Sequence, residues 1–271
     1  MKTRLLLSLI IIPIFAFFIF SSWPWPFVCL TIAALSWALY EVYIMFEKKG
    51  LKPYKIAGLA YGLFTYAAVI INFNCGFIVT GWALFLIGLF TAVILSRNPD
   101  NFTRIGATYL PLLYISAMGL FAIHMRLMEN GKYWIFLLFL LTLVYDGGAY
   151  FVGYSFGRHK LIPEISPGKS IEGCLGGVVI NVIVAVIIKF TYLPQNILGP
   201  STLTHLIILA VLLSVTGQLG DLGASVIKRF CGVKNSSNLL PEMGGVLDKI
   251  DSALFNAPIL FLYIKYVSGW F

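Results

Sequence analysis

From Gly76 to Ser96 the chain reads GFIVTGWALFLIGLFTAVILS, twenty-one residues without a single charged side chain. At about 1.5 Å of rise per residue, a helix of that length crosses the roughly 30 Å hydrocarbon core of a bilayer. Lipid offers the backbone no hydrogen-bond partners, so such a run must satisfy its own N–H and C=O groups as a helix. The stretch predicts a membrane span, and it is not alone. Comparable apolar runs occupy approximately 5–20, 27–46, 56–72, 105–124, 133–153, 175–193, 203–219 and 253–270, about nine spans in all. The breaks between them carry helix-ending and turn residues: Trp23-Pro24-Trp25-Pro26, Lys48-Lys49-Gly50 with Pro53, Asn98-Pro99-Asp100-Asn101, Glu129-Asn130-Gly131 and Pro194-Gln195-Asn196.

Composition points the same way. Of 271 residues, 59% are hydrophobic and only 11% charged, where a soluble domain carries about 25% charged residues. A soluble globular body, a disordered chain, a secreted disulfide scaffold and a nucleic-acid-binding domain are all excluded. The fold predicted is an all-α polytopic membrane protein with polar loops that carry its chemistry. Lys2 and Arg4 before the first apolar run resemble a signal peptide, but Ser21-Ser22-Trp23-Pro24 offers no small-x-small cleavage site. An uncleaved first span is expected. Cys29, Cys75, Cys174 and Cys231 form no CxxC pair and read as apolar fillers.

Nine spans alternate sides, which allows the basic residues to be allocated. Fifteen of the nineteen Lys and Arg residues fall on the side of the N-terminus, and only Arg126 and Lys132 fall clearly on the other. This is the positive-inside pattern. It predicts an inner- or plasma-membrane protein whose N-terminus faces the cytoplasm. The net charge of +8 is then mostly orientation. Residues 1–132, about five spans, read as a transmembrane scaffold. Residues 133–271 read as the catalytic region, with cytoplasmic stretches at 154–174 and 220–251.

Acidic residues are scarce, and their positions are informative. Asp146 lies inside an apolar run, Leu143-Val144-Tyr145-Asp146-Gly147-Gly148. A carboxylate there is costly unless it meets a cavity, a partner or a cation; a protonated, hydrogen-bonded helix contact is the alternative. The loop Phe156 to Gly173 carries Arg158, His159, Lys160, Ser166, Gly168, Lys169 and Ser170, a combination suited to phosphate. Its Gly168-Lys169-Ser170 is not a P-loop, because Pro163 stands where the first glycine of GxxxxGK[ST] belongs. A solvated basic loop explains the same residues, and His159 reads as interfacial. Further on, Asp221, Ser225 and Lys228 share one helical face at i, i+4 and i+7. Asp248 and Asp251 lie one turn apart before the last span. Three carboxylates among Lys228, Arg229, Lys234 and Lys249 suit a hard divalent cation and a polyphosphate. A salt-bridged surface loop is the plainer reading of the same spacing.

The ordered motifs go further than spacing. Ser225-x-x-Lys228-Arg229-x₄-Lys234-Asn235, followed by Pro241-x-Met243-Gly244-Gly245-x-x-Asp248-Lys249-x-Asp251, resembles the signature of the CDP-diacylglycerol synthase (phosphatidate cytidylyltransferase) family. Upstream, Asp146, Ala149, Tyr150, Gly157, Arg158, Ser166, Pro167, Lys169, Ser170, Glu172 and Gly173 match its other pattern. The resemblance is strong over 146–252 and a matter of hydropathy before that. It implies transfer of CMP from CTP to phosphatidic acid, with CDP-diacylglycerol and pyrophosphate as products. It implies Mg²⁺, with K⁺ as a second cation, and a homodimer. By motif position, Asp221, Asp248 and Asp251 would hold metal. Asp221, Lys228, Arg229 and Asp248 would form the catalytic set. Asp146, Arg158, Ser166, Lys169, Ser225, Lys234 and Lys249 would bind substrate. Three positions depart from the pattern: Asn235 replaces Asp, Met243 replaces His, and Lys249 replaces Arg, which keeps charge but loses bidentate geometry. Other readings of the same chain are a CTP-dependent polyprenol or lipid-alcohol kinase, a catalytically impaired scaffold, and an organic-anion transporter.

Overall fold

The computed structural model describes residue 13 and residues 15–191, 202–239 and 244–267. Helices dominate it. In chain order they are α1 (Trp25–Lys48), α2 (Lys55–Ile70), α3 (Cys75–Leu95), α4 (Phe102–Pro111), α5 (Met118–Leu127), α6 (Gly131–Phe156), α7 (Ile171–Thr191), α8 (Thr202–Phe230) and α9 (Leu247–Tyr266). Among the described residues, six helical rods are long and apolar enough to cross a membrane, and α2, at 16 residues, is a shorter apolar helix. The protein is an integral membrane protein of polytopic helical build. Of the first predicted span, only residue 13 and residues 15–20 are described, and they are helical; the rest lies outside the described residues.

Local sequence sets the ends. Proline in the first turn of α1 loses nothing by lacking an N–H there, and Gly50, at φ +92°, follows the helix end in a left-handed turn. Asn74 caps α3 by accepting from the Phe77 N–H at 2.7 Å. Apart from Trp82 and Leu89, α3 buries almost nothing, although it is apolar all round. In water that surface would be a liability; in lipid it needs no cover. Between α4 and α5 the rod continues through a π-turn, Leu112–Ala117, directly after Pro111. A helix proline removes one ladder bond, and a widened turn is one way to absorb it.

The chain forms two compact units. The first comprises Met1–Leu127 together with Phe230–Lys249. Its core includes Leu39, Tyr43, Tyr66, Leu112, Ile115, Ile123 and Met125, all essentially buried. Two buried tyrosine hydroxyls there are paired: Tyr43 donates to the Thr108 carbonyl, and Tyr66 donates to the Ser116 hydroxyl, both at 2.9 Å. Arg126 is buried and donates to the carbonyls of Ser21 and Trp23.

The second unit comprises Met128–Arg229 and Ile250–Phe271. Here α6 and α7 press backbone to backbone. A Cβ on Gly173 would lie 2.7 Å from the Ala149 carbonyl oxygen, and one on Gly220 would collide with the Asp251 carbonyl of α9. The second approach brings α8 onto α9 at the residue before Asp221. Amide side chains tie the remaining helices. Asn181 donates to the Ala210 carbonyl and the Ser214 hydroxyl; Asn256 donates to Thr142 and accepts from Thr216.

One segment departs from the all-helical reading. Within the expected loop 154–174, α6 runs on to Phe156, and an antiparallel hairpin follows, β1 (Lys160–Ile162) and β2 (Ser166–Ser170). Lys160 pairs with Ser170 and Ile162 with Ser166. Pro163, Pro167 and Gly168 deny the segment a helix. The antiparallel ladder supplies the backbone bonds instead. Gly173→Val should cost about 1–3 kcal/mol or more through overpacking against α6. Gly88→Ala, where no atom lies within 4 Å of an added Cβ, should be neutral. Thermal melting of both variants in detergent, by intrinsic fluorescence, checks the contrast.

Candidate active site

In the second unit, three carboxylates from three helices converge. Asp146 comes from α6, Asp221 from α8 and Asp251 from α9, and they lie near enough to repel one another electrostatically. Like charges gathered in an apolar bundle are costly unless cations sit among them. Two do. Lys169 Nζ, from β2, lies 2.7 Å from Asp221 Oδ2. Lys228, buried and two turns beyond Asp221 on α8, is an electrostatic partner of Asp251. Asp251, itself only 8% exposed, also accepts from the Ser252 N–H at 2.8 Å. The helical face read from the sequence is present, for Ser225 is buried one turn from Asp221 and its hydroxyl lies 3.4 Å from the carboxylate.

The hairpin is what delivers Lys169. Its base is closed by Glu172, at the start of α7, which accepts from the backbone N–H groups of Arg158 and His159 and meets His159 Nδ1 at 2.6 Å. The Ile171 N–H donates to the His159 carbonyl across the same base. Its turn is tied to α8, where Arg229 Nε donates to the Ile165 carbonyl at 3.1 Å. Arg158 is exposed at the base, and Ser166 is half-buried at the start of β2.

The remaining candidates belong to the first unit. Asp248, in the first turn of α9, accepts from the Ser236 N–H, the Ser236 hydroxyl and the Gly245 N–H, each at 2.9 Å. Lys234, Asn235 and Lys249 are exposed. Met243 lies outside the described residues. The sequence reading passed over Glu41 of α1, a carboxylate only 3% exposed that receives four hydrogen bonds from this same region. It also left Glu172 without a role beyond its place in a motif.

Among the described residues, no group of three or more His, Cys, Asp or Glu side chains is arranged to hold a metal unaided. The donors nevertheless suit Mg²⁺, which takes hard oxygens and usually binds through one or two carboxylates, with substrate phosphates and water completing its shell. Asp221 and Asp251 are such a pair. The lysines around them suit the phosphates.

Fold and site together define a polytopic helical membrane protein with an acidic cluster neutralised by lysines, a setting for anionic substrates and cations. Comparison with known proteins gives this class a family. Residues 2–267 match the model of the cytidylyltransferase family, to which the chain belongs. It is 35% identical to a phosphatidate cytidylyltransferase of Bacillus subtilis over 99% of both chains. It is 36% identical to a phosphatidate cytidylyltransferase of Staphylococcus saprophyticus over 64% of each chain. A Haemophilus influenzae protein of the same name is 42% identical over 51% of this chain and 48% of its own.

Lys169→Met strips the cluster of its nearest cation and should destabilise the protein by about 1–2 kcal/mol, a pair this exposed being partly screened. Adding Asp221→Asn should restore most of the loss, because the charges are then balanced again. A double-mutant cycle of melting temperatures in detergent measures the coupling.

Proposed function

We propose that this chain is a phosphatidate cytidylyltransferase, which transfers CMP from CTP to phosphatidic acid and yields CDP-diacylglycerol and pyrophosphate. The observation that carries this reading is end-to-end similarity to the Bacillus subtilis enzyme. The cluster of Asp146, Asp221 and Asp251 with Lys169 and Lys228 supplies chemistry of the right kind.

The phosphate oxygen of phosphatidic acid attacks the α-phosphorus of CTP. A new phosphoanhydride bond forms as the α–β bond breaks, and pyrophosphate leaves with the bonding pair. The nucleophile belongs to the substrate, so the protein's task is positioning and charge neutralisation. Lys169 and Lys228 neutralise phosphate oxygens, and Arg229, which steadies the hairpin turn through Ile165, belongs to the same catalytic set. Asp221 and Asp251 would hold Mg²⁺, and Asp248 keeps the cation-binding role that its motif implies. When bound, Mg²⁺ supplies charge to the polyphosphate and polarises it; K⁺ is the second cation of this reading. Arg158, Ser166, Ser225, Lys234 and Lys249, with Asp146, complete the substrate-binding set. The reading includes nine spans in the inner or plasma membrane, with the N-terminus and the stretches 154–174 and 220–251 in the cytoplasm, where CTP is. A homodimer is part of it.

Purified protein in detergent with CTP, phosphatidic acid and Mg²⁺ should release pyrophosphate and form CDP-diacylglycerol, and EDTA should abolish both. A phosphorylated lipid with CDP as co-product would point to a CTP-dependent kinase, and no turnover with any cation would sink the reading. Asp251→Asn should lower kcat by on the order of a hundred-fold, with the melting temperature held or raised. Cysteine-accessibility labelling in spheroplasts and inverted vesicles checks the topology: Cys introduced at Lys2 or Lys160 should react only from the cytoplasmic face.

A further inference from the structure

Glu41 sits in the middle of the polar story yet far from it in sequence. It lies on α1, an apolar helix long enough to span the membrane, and is 3% exposed. A carboxylate in such a place is costly unless every lone pair is met. Here each oxygen receives two donors. Oε1 accepts from the Ser237 hydroxyl at 2.6 Å and the Val246 N–H at 3.0 Å. Oε2 accepts from the Ser236 hydroxyl at 2.9 Å and the Leu247 N–H at 3.0 Å. Four acceptances saturate a carboxylate. All four donors come from the segments on either side of 240–243, and two are free amides at the start of α9, where a negative charge also complements the helix dipole.

The next residue is Asp248. Its Oδ2 accepts from the Ser236 N–H, the Ser236 hydroxyl and the Gly245 N–H. The Ser236 hydroxyl thus lies between both carboxylates, its single proton shared between Glu41 Oε2 and Asp248 Oδ2. Gly244 and Gly245 fill the space that remains. A Cβ on Gly244, whose φ is +86°, would collide with Asp248 Oδ2, and one on Gly245 would collide with both Glu41 oxygens. The two glycines are thus explained by the two carboxylates packed against them.

We propose that Glu41 is a positioning residue for the transfer reaction, holding Ser236 and the first turn of α9 so that Asp248 is presented in one orientation. The proposal rests on the reading of Asp248 as a residue of that reaction. Glutamine cannot replace Glu41, because its NH₂ group would face a backbone N–H on one side. A displaced catalytic group costs rate steeply even when the fold is intact.

The test uses the full chain in detergent, as wild type, Glu41→Gln and Gly245→Ala, with two readouts. Hydrogen–deuterium exchange should rise at least tenfold at the amides of Ser236 and residues 245–248 in both variants and stay unchanged in α6 and α7. With CTP, phosphatidic acid and Mg²⁺, kcat should fall by about ten- to a hundred-fold. The half-saturating Mg²⁺ concentration should rise, and KM for phosphatidic acid should stay within twofold. Wild-type exchange at those amides together with wild-type kcat would overturn the proposal. So would a loss of activity that merely tracks the folded fraction, with Mg²⁺ dependence unmoved. If the wild type itself makes no CDP-lipid, the cytidylyltransferase reading has failed, and the exchange contrast alone then decides whether Glu41 orients Asp248.

Discussion

A carboxylate carried into an apolar helix bundle must be met there by donors or by cations, and the polar architecture of this protein follows from that demand. In the second unit the demand is met by cations: Lys169 lies on Asp221, and Lys228 neighbours Asp251. In the first it is met by donors, with hydroxyls and helix-start amides filling every acceptor position of Glu41. The two solutions have different consequences. Donors locked to a buried carboxylate make a rigid support. Ammonium groups on long, multiply rotatable stems make a looser one.

Glycine makes this possible where side chains would keep helices apart. Without close approach at Gly220, the helices bearing Asp221 and Asp251 would stand farther apart, and without it at Gly173, α7 would not lie against α6. Small residues at helix contacts are a recurrent device in membranes, where no hydrophobic force drives helices together. Amide side chains such as Asn181 and Asn256 add bonds that lipid cannot offer.

Much of this was legible in the sequence. Apolar runs of about 20 residues announce helices because the bilayer leaves the backbone no alternative, and every described span predicted from them is helical. Asp146, Asp221 and Asp251 stood out because charge is rare in such a chain, and the structure brings them together. The hairpin escaped because its strands are too short for an alternating pattern, and it is built on proline, glycine and serine. Glu41 escaped for another reason. One acid inside the apolar run 27–46 does not lower its hydropathy enough to matter, and its partners lie 195 or more residues away along the chain. Long-range complementarity of that sort has no local signature. Glu172 was visible in a motif, but its work, closing a hairpin, shows only in three dimensions.

The hairpin also acts as a plumb line. Its two strands leave outer-edge backbone groups without ladder partners, which hydrocarbon does not tolerate, so β1 and β2 must stand in water or among lipid head groups. Asp146 and Asp221 each lie about 14–15 Å along their helices from the ends nearest the hairpin, at roughly 1.5 Å per residue. Lys169 nonetheless bridges from β2 to Asp221, so one side chain links the carboxylates to the wetted edge of the unit.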